Sequence, residues 1–359
     1  MNAAELHRRA FVIDGHSDIL MPVVNGVTTL AESWPESERD RWGRIVENER
    51  PAARENLPYG LGALAMRTAP AGQYELPLLE EGGVTAECAA IYIDDGEIDF
   101  ALERGLLMAA ALGRHVAEHA DRCLLARSAA DIRLAKEEGR VAYILTMEGA
   151  EPVGRHVDLL DVFWHLGLRM TTLTHSRRNW LADGTQQDIA TGGLTRLGRE
   201  AVRRCEELGI VLDVAHIADQ GFWEVIEMSS QPVVCSHTSL LTPAPGYRAP
   251  WDEMNATYGM TKAQALAKTG GLVGVIFWSM PDIAALVAEI RAALDQVGPE
   301  HVGLGTDFFG FGQAPSDLQH AGELPRLTAA LVDEGFPEET ILAVLGDNFL
   351  RVFEQVWTA

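Results

Sequence analysis

Eight short apolar runs punctuate the chain: 11–19 (FVIDGHSDI), 84–93 (VTAECAAIYI), 141–149 (VAYILTMEG), 170–176 (MTTLTHS), 211–216 (VLDVAH), 233–238 (VVCSHT), 271–278 (GLVGVIFW) and 302–308 (VGLGTDF). Each is nearly continuous in apolar character instead of alternating. That pattern predicts strands covered on both faces, as in a parallel sheet wrapped by helices. Between most of the runs lie amphipathic stretches, among them 99–120, 194–208 and 282–296, which read as helices. Eight β-then-α units predict a (β/α)8 barrel of the TIM type, one domain spanning residues 1–359. A doubly wound open sheet would need a Gly-rich nucleotide loop after an early strand, and none is present.

Two segments depart from a plain barrel. Residues 20–83 form a long insertion between the first and second strands, rich in Trp, Arg, Glu and Pro. Its part 31–55 reads as helical, and an insertion of that length is often a lid or a binding wall. The prolines and glycine of 239–260 forbid continuous helix there. Both segments are expected on the C-terminal face of the barrel, where active sites are built.

Polar residues at the ends of the runs change the picture from fold to chemistry. His16 and Asp18 end the first run, Glu148 the third, His175 the fourth, His216 the fifth, His237 the sixth and Asp307 the eighth. A barrel brings those ends to one rim, so residues distant in sequence become neighbours. One strand-end histidine alone is more often a hydrogen-bonded structural residue than a ligand. Four imidazoles and three carboxylates gathered on one rim would leave several charges poorly compensated without a cation. Histidine and carboxylate without thiolate suit Zn²⁺, Mn²⁺ or Fe²⁺. The spacing of His16 and Asp18 points both side chains the same way from a strand.

Composition narrows the reading further. With 29 Lys plus Arg against 52 Asp plus Glu, the net charge is −23. That balance gives no electrostatic reason to sit on nucleic acid or an anionic membrane. The N-terminus carries charge where a signal peptide needs an apolar run, and no apolar stretch reaches the ~18 residues of a membrane span. Cys88, Cys123, Cys205 and Cys235 form no CxxC pair and read as free buried thiols, so the expected compartment is the cytoplasm. The only lysines are Lys136, Lys262 and Lys268, none near a strand end. Two metals need a bridging anion, and with no lysine available for carbamylation the bridge must be a carboxylate. Glu148 is the one placed for it.

From VIDGHSDI through YELPLLEEGGVTAECAA, MEGAE, LTHSRRNWLADG, GLTRLGREAVRRCEELGIVLDVAH, VVCSHTS and VGLGTDFFG to GDNFLRVFEQV, the chain resembles the renal (membrane) dipeptidase family of the amidohydrolase superfamily. The resemblance implies two zinc ions per chain, one on His16, Asp18 and Glu148, the other on Glu148, His216 and His237. It also implies that His175 binds and polarises the scissile carbonyl. Asp307 would then carry protons, and Arg248 would hold the terminal carboxylate of a dipeptide substrate. The family is often dimeric, which implies a homodimer. Three departures flank the substrate pocket. Arg248 is followed by Ala249 and Pro250 where relatives show Arg-Asn, the family's DFDG becomes Asp307-Phe308-Phe309-Gly310, and DLSH becomes Asp213-Val214-Ala215-His216.

The expected activity is therefore zinc-dependent hydrolysis of dipeptides by a binuclear metallopeptidase. A related amidohydrolase acting on a small amide, an N-acyl amino acid or a lactone would use the same metals. A non-catalytic metal-binding barrel would not need Asp307 and His175. A serine or cysteine hydrolase would need a G-x-S-x-G elbow, or a cysteine ending a run beside a histidine, and neither occurs.

Overall fold

In the computed structural model the apolar runs become a closed ring of strands, within described residues 2–26, 28–31, 73–185, 192–241, 254–278, 280–310 and 314–357. The strands are β1 (Ile13–Ser17), β2 (Ala86–Tyr92), β3 (Cys123–Leu125), β4 (Val141–Glu148), β5 (Leu168–Thr172), β6 (Val211–Asp213), β7 (Val233–Thr238), β8 (Leu272–Val275) and β9 (Val302–Leu304). All pairings between them are parallel. The ring closes where β1 meets β9 and where β2 pairs with β4. The eight predicted strands are the eight staves of a (β/α)8 barrel.

β3 is an addition to that scheme. Cys123, Leu124 and Leu125 pair with Val141, Ala142 and Tyr143 at the start of β4. Further along, Leu145 to Met147 of β4 pair with β5 instead. The three-residue strand adds to the edge of β4 alone, and three residues are too few to show a period in sequence.

The helices fall where amphipathic stretches predicted them, at Ala101–Glu118, Arg196–Leu208 and Ile283–Val297. The last two begin at capping side chains. Thr195 accepts from the backbone N–H of Gly198 at 3.0 Å, and Asp282 accepts from that of Ala285 at 2.9 Å. Each satisfies a donor that the first helical turn leaves without a partner. No helix among the described residues is long and apolar enough to cross a membrane.

The alternation of each strand splits the core in two. Ile13, Ala86, Cys88, Ala142, Ile144, Met170, Val211, Val234 and Leu272 point inward and form one cluster with Phe349 and Phe353. The other faces, such as Ala89, Ile91, Tyr143 and Leu145, pack outward against the helices. Helix Asn348–Val356 closes the lower end of the barrel with Phe349. That fit depends on Gly15, where a Cβ would come within 2.3 Å of the Phe349 ring. The insertion leaves β1 through the short helix Leu20–Val24 and returns through Leu76–Glu81. The helix expected within 31–55 lies outside the described residues beyond its first position.

Candidate metal centre

The upper end of the barrel gathers the polar strand-end residues around one carboxylate. Glu148 is the last residue of β4 and is buried, with Oε1 3.6 Å from His16 Nε2 and 3.5 Å from His237 Nε2. The same oxygen lies 3.0 Å from His216 Nε2 and 3.9 Å from His175 Nε2. His16 Nε2 also lies 3.9 Å from Asp18 Oδ1 and 3.7 Å from Asp307 Oδ1. The His16 and His237 rings stack at 4.0 Å, and His216 Nε2 is 2.8 Å from His237 Nε2. All seven rim residues predicted from sequence converge here.

They converge by different routes. His16 and His237 lie within β1 and β7, while His175, His216 and Asp307 sit three residues beyond the ends of β5, β6 and β9. His216 and Asp307 both have φ of 61°, in the left-handed region. Phe309, at 66°, is the third non-glycine residue with such a backbone among those described. Strained backbone of this kind persists where surrounding contacts over-determine it, and it clusters at functional sites. Next to Glu148, Gly149 has φ of 79°, and a Cβ there would lie 2.2 Å from Glu151 Oε2 and 3.1 Å from the backbone nitrogen of His175. The glycine of MEGAE lets β4 turn over without displacing His175.

Donor chemistry and spacing both fit cations. Three overlapping groups offer ligand atoms within 4.8 Å of one another: His16, Glu148 and His237; Glu148, His175 and His216; and His16, Asp18 and Asp307. With zinc–nitrogen bonds near 2.0–2.1 Å, ligand atoms around a tetrahedral ion stand roughly 3.4 Å apart. The observed 3.0–3.9 Å separations around Glu148 Oε1 match that. These groups are drawn differently from the two sets that the resemblance implied, because they take in His175 and Asp307 as well. Electrostatics show what a cation would relieve. Burial alone would raise the Glu148 carboxyl, but the imidazoles of His175, His16, His216 and His237 outweigh it and hold the group well below the usual range. Burial would lower His237, yet Glu148 and Asp307 push it up to about 9.

None of the lysines stands in this cluster. Lys262 pairs with Asp219, and Lys136 reaches the backbone oxygen of Ala10. All four cysteines are free and buried. Arg248 lies outside the described residues.

Several neighbours of the rim went unread in sequence. Tyr92, the last residue of β2, is buried and sets its ring edge-on to His175 at 4.9 Å. Thr172 Oγ1 accepts from the N–H of Gly149 and ties β5 to the turn after Glu148. Asp14 and Asp213 are buried carboxylates inside the apolar runs VIDGHSDI and VLDVAH. A charged residue within an apolar strand is the signal that could have marked the last two.

Comparison with known proteins agrees with this geometry. Residues 1–359 match the family described as membrane dipeptidase (peptidase family M19). The chain is similar to dipeptidase tcpJ of Claviceps purpurea, 26% identical over 304 residues, covering 80% of this chain and 70% of that protein. It is also similar to dipeptidase aclJ of Aspergillus oryzae, 25% identical over 304 residues, covering 79% and 70%. Among solved structures, dipeptidase AC, a metallopeptidase of family M19, superposes with a TM-score of 0.74 at 25% identity over 98% of this chain and 99% of that one. A metallopeptidase from Rhodobacter sphaeroides, liganded with a phosphinate mimic of the dipeptide L-Ala-D-Ala, shares the fold with a TM-score of 0.75 at 24% identity, covering 97% and 99%.

Proposed function

The chain belongs to the membrane dipeptidase family, peptidase family M19, and from that membership we propose that it hydrolyses the peptide bond of dipeptides with two zinc ions per chain. The observation that carries the reading is the single oxygen Glu148 Oε1, which lies 3.0–3.9 Å from imidazole nitrogens on four different strand ends. One carboxylate so placed is suited to bridge two cations. His16, Asp18 and Glu148 would hold one ion, and Glu148, His216 and His237 the other. Metal ions bound there make water more acidic and polarise a carbonyl.

The remaining work belongs to side chains. Asp307 takes a proton from the attacking water on its carboxylate and delivers it to the leaving amine, a general base that then serves as a general acid. His175, opposite Glu148 and braced by Tyr92, donates to the oxygen on which negative charge develops. Arg248 holds the free carboxylate of the substrate by charge-assisted hydrogen bonds. The same reading puts the protein in the cytoplasm, supported by four free buried thiols.

Elemental analysis of gently purified protein tests the metal content, with about two zinc ions per chain expected. A reproducible absence of metal, with no dipeptide cleavage on adding Zn²⁺, Mn²⁺ or Co²⁺, would overturn the proposal. Specificity is tested by a cycle of wild type and Arg248→Ala against a free dipeptide and its C-terminal amide. A loss of kcat/KM confined to the free dipeptide is expected. Equal losses on both substrates would take Arg248 out of recognition and favour another small amide or a lactone as substrate.

A further inference from the structure

Asp14 and Asp213 stand two and three residues ahead of His16 and His216, and each joins its strand to a neighbouring segment. Asp14 Oδ1 accepts the backbone N–H groups of His16 at 3.2 Å and Thr306 at 2.8 Å. Its Oδ2 accepts the hydroxyls of Tyr74 and Thr306, each at 2.5 Å. Asp213 takes two backbone N–H groups on one oxygen, with Ala215 and Ser236 each 3.0 Å from Oδ1. One carboxylate therefore ties β1 to the segment after β9, and the other ties β6 to β7.

Those are the places where the sheet itself holds least. β1 and β9 pair in register at Asp14↔Leu304, with an isolated bridge at Ser17↔Phe308. β6 and β7 pair at Leu212↔Val233 and Asp213↔Val234. By contrast, β2 and β4 run in register over seven residue pairs. The two thinly paired junctions carry five of the seven rim residues: His16, Asp18 and Asp307 at one, His216 and His237 at the other. They also carry the left-handed His216 and Asp307, whose strained backbone needs outside support. A carboxylate suits that task, because each of its oxygens can accept more than one N–H or O–H.

We infer that Asp14 and Asp213 are positioning residues, staples that set the spacing of the ligand-bearing strand ends and thereby the affinity of the metal centre. They act through backbone N–H groups and touch neither metal nor substrate. The inference rests on the metal reading above, and it separates the two staples by their own hydrogen bonds. Asparagine keeps one oxygen, so Asp213→Asn can still accept both N–H groups. Asp14 uses both oxygens, so Asp14→Asn turns an NH₂ towards the Tyr74 and Thr306 hydroxyls and should not rescue.

The test is Zn²⁺ affinity of the full chain, by competition with a chromophoric chelator. Co²⁺ visible spectra of the same proteins report ligand geometry, and thermal melting in excess chelator reports the metal-free fold. Groups that orient metal ligands are typically worth about 10–100-fold in affinity. That loss is expected for Asp213→Ala, Asp14→Ala and Asp14→Asn, with altered Co²⁺ spectra, while Asp213→Asn stays close to wild type. If the alanine variants fail to fold, the two asparagine variants decide, and equal behaviour at both positions overturns the inference. Wild type that binds zinc while folded alanine variants bind it equally well overturns this inference alone. Wild type that binds no zinc overturns the metal reading and this inference with it.

Discussion

At the lower end of the barrel Ile13, Ala86, Ala142, Val211, Val234 and Leu272 form one apolar cluster with Phe349 and Phe353. At the upper end, a few residues further along the same strands, Glu148 is surrounded by four imidazoles, with Asp18 and Asp307 close by. The lower end is held by area removed from water, which tolerates no gap but needs no particular hydrogen bond. The upper end is held by directed contacts that trade backbone comfort for aim. The described non-glycine residues with left-handed backbones, His216, Asp307 and Phe309, all belong to it. Stability and chemistry thus divide along the barrel axis. Substitutions at the two ends should fail in different assays.

The division is tested hardest at Glu148. Glu148→Gln keeps the shape but removes the charge that two of the three candidate ligand sets share. It should empty the centre of metal and reduce dipeptide turnover by more than the about 10²–10⁴-fold expected for loss of a proton carrier. Its melting in excess chelator should change little by comparison. Metal analysis and chelator melts on the same preparation check this. A variant that keeps two zinc ions would remove Glu148 from the bridge.

Asp307→Asn asks whether the upper end itself has separable parts. As a proton carrier, Asp307 should cost kcat about 10²–10⁴-fold when replaced, with metal content retained. Its Oδ1 lies 3.7 Å from His16 Nε2 and it shares a candidate set with Asp18, so the competing role is that of ligand. Loss of zinc with loss of rate would assign it that role.

How much of this was legible in the chain follows from the range of the interactions. The staves were legible because burial on both faces writes itself into consecutive residues. The rim was legible because an ionisable residue ending an apolar run is conspicuous wherever it falls. Hydrogen bonds across the fold leave no local trace. The Asp14 carboxylate meets Thr306 across a separation of 292 positions. Nothing in VIDGHSDI says which partner it finds. The left-handed turns at His216 and Asp307 were hidden for a related reason, since neither residue is a glycine that would announce the conformation. β3 was hidden by its length. Arg248 and most of the helix expected within 31–55 lie outside the described residues.

The lower end has its own decisive substitution. Phe349 is fully buried and occupies the space left by Gly15. Phe349→Ala should destabilise the protein by about 3–5 kcal/mol, read from urea unfolding. Zinc per folded chain and kcat should stay near wild type. A variant that folds as stably as wild type but loses zinc would break the division between the ends.

The smallest effect is expected at a group that touches neither end directly. Glu87 sits in β2, fully buried, with Ser17 Oγ donating to its Oε1 at 2.6 Å. Its Oε2 has no hydrogen-bond partner among the described residues. Burial, with the nearby charges of Asp14 and Glu75, pushes this carboxyl well above the usual range against the opposing hydrogen bond from Ser17. The folded protein therefore keeps Glu87 protonated at pH values where the unfolded chain has released the proton. A raised carboxyl contributes most to stability below its unfolded pKa, and that contribution is lost as pH rises towards the folded value. Glu87→Gln keeps an acceptor for Ser17 and removes the titration. It should raise Tm relative to wild type, by more at pH 8 than at pH 5, with turnover little changed. An equal Tm difference at both pH values would mean that Glu87 does not titrate in this range. A fall in zinc content would instead extend the metal centre one layer outward through Ser17, which lies between His16 and Asp18. The boundary between the two ends would then run behind β2 and no longer along the barrel axis.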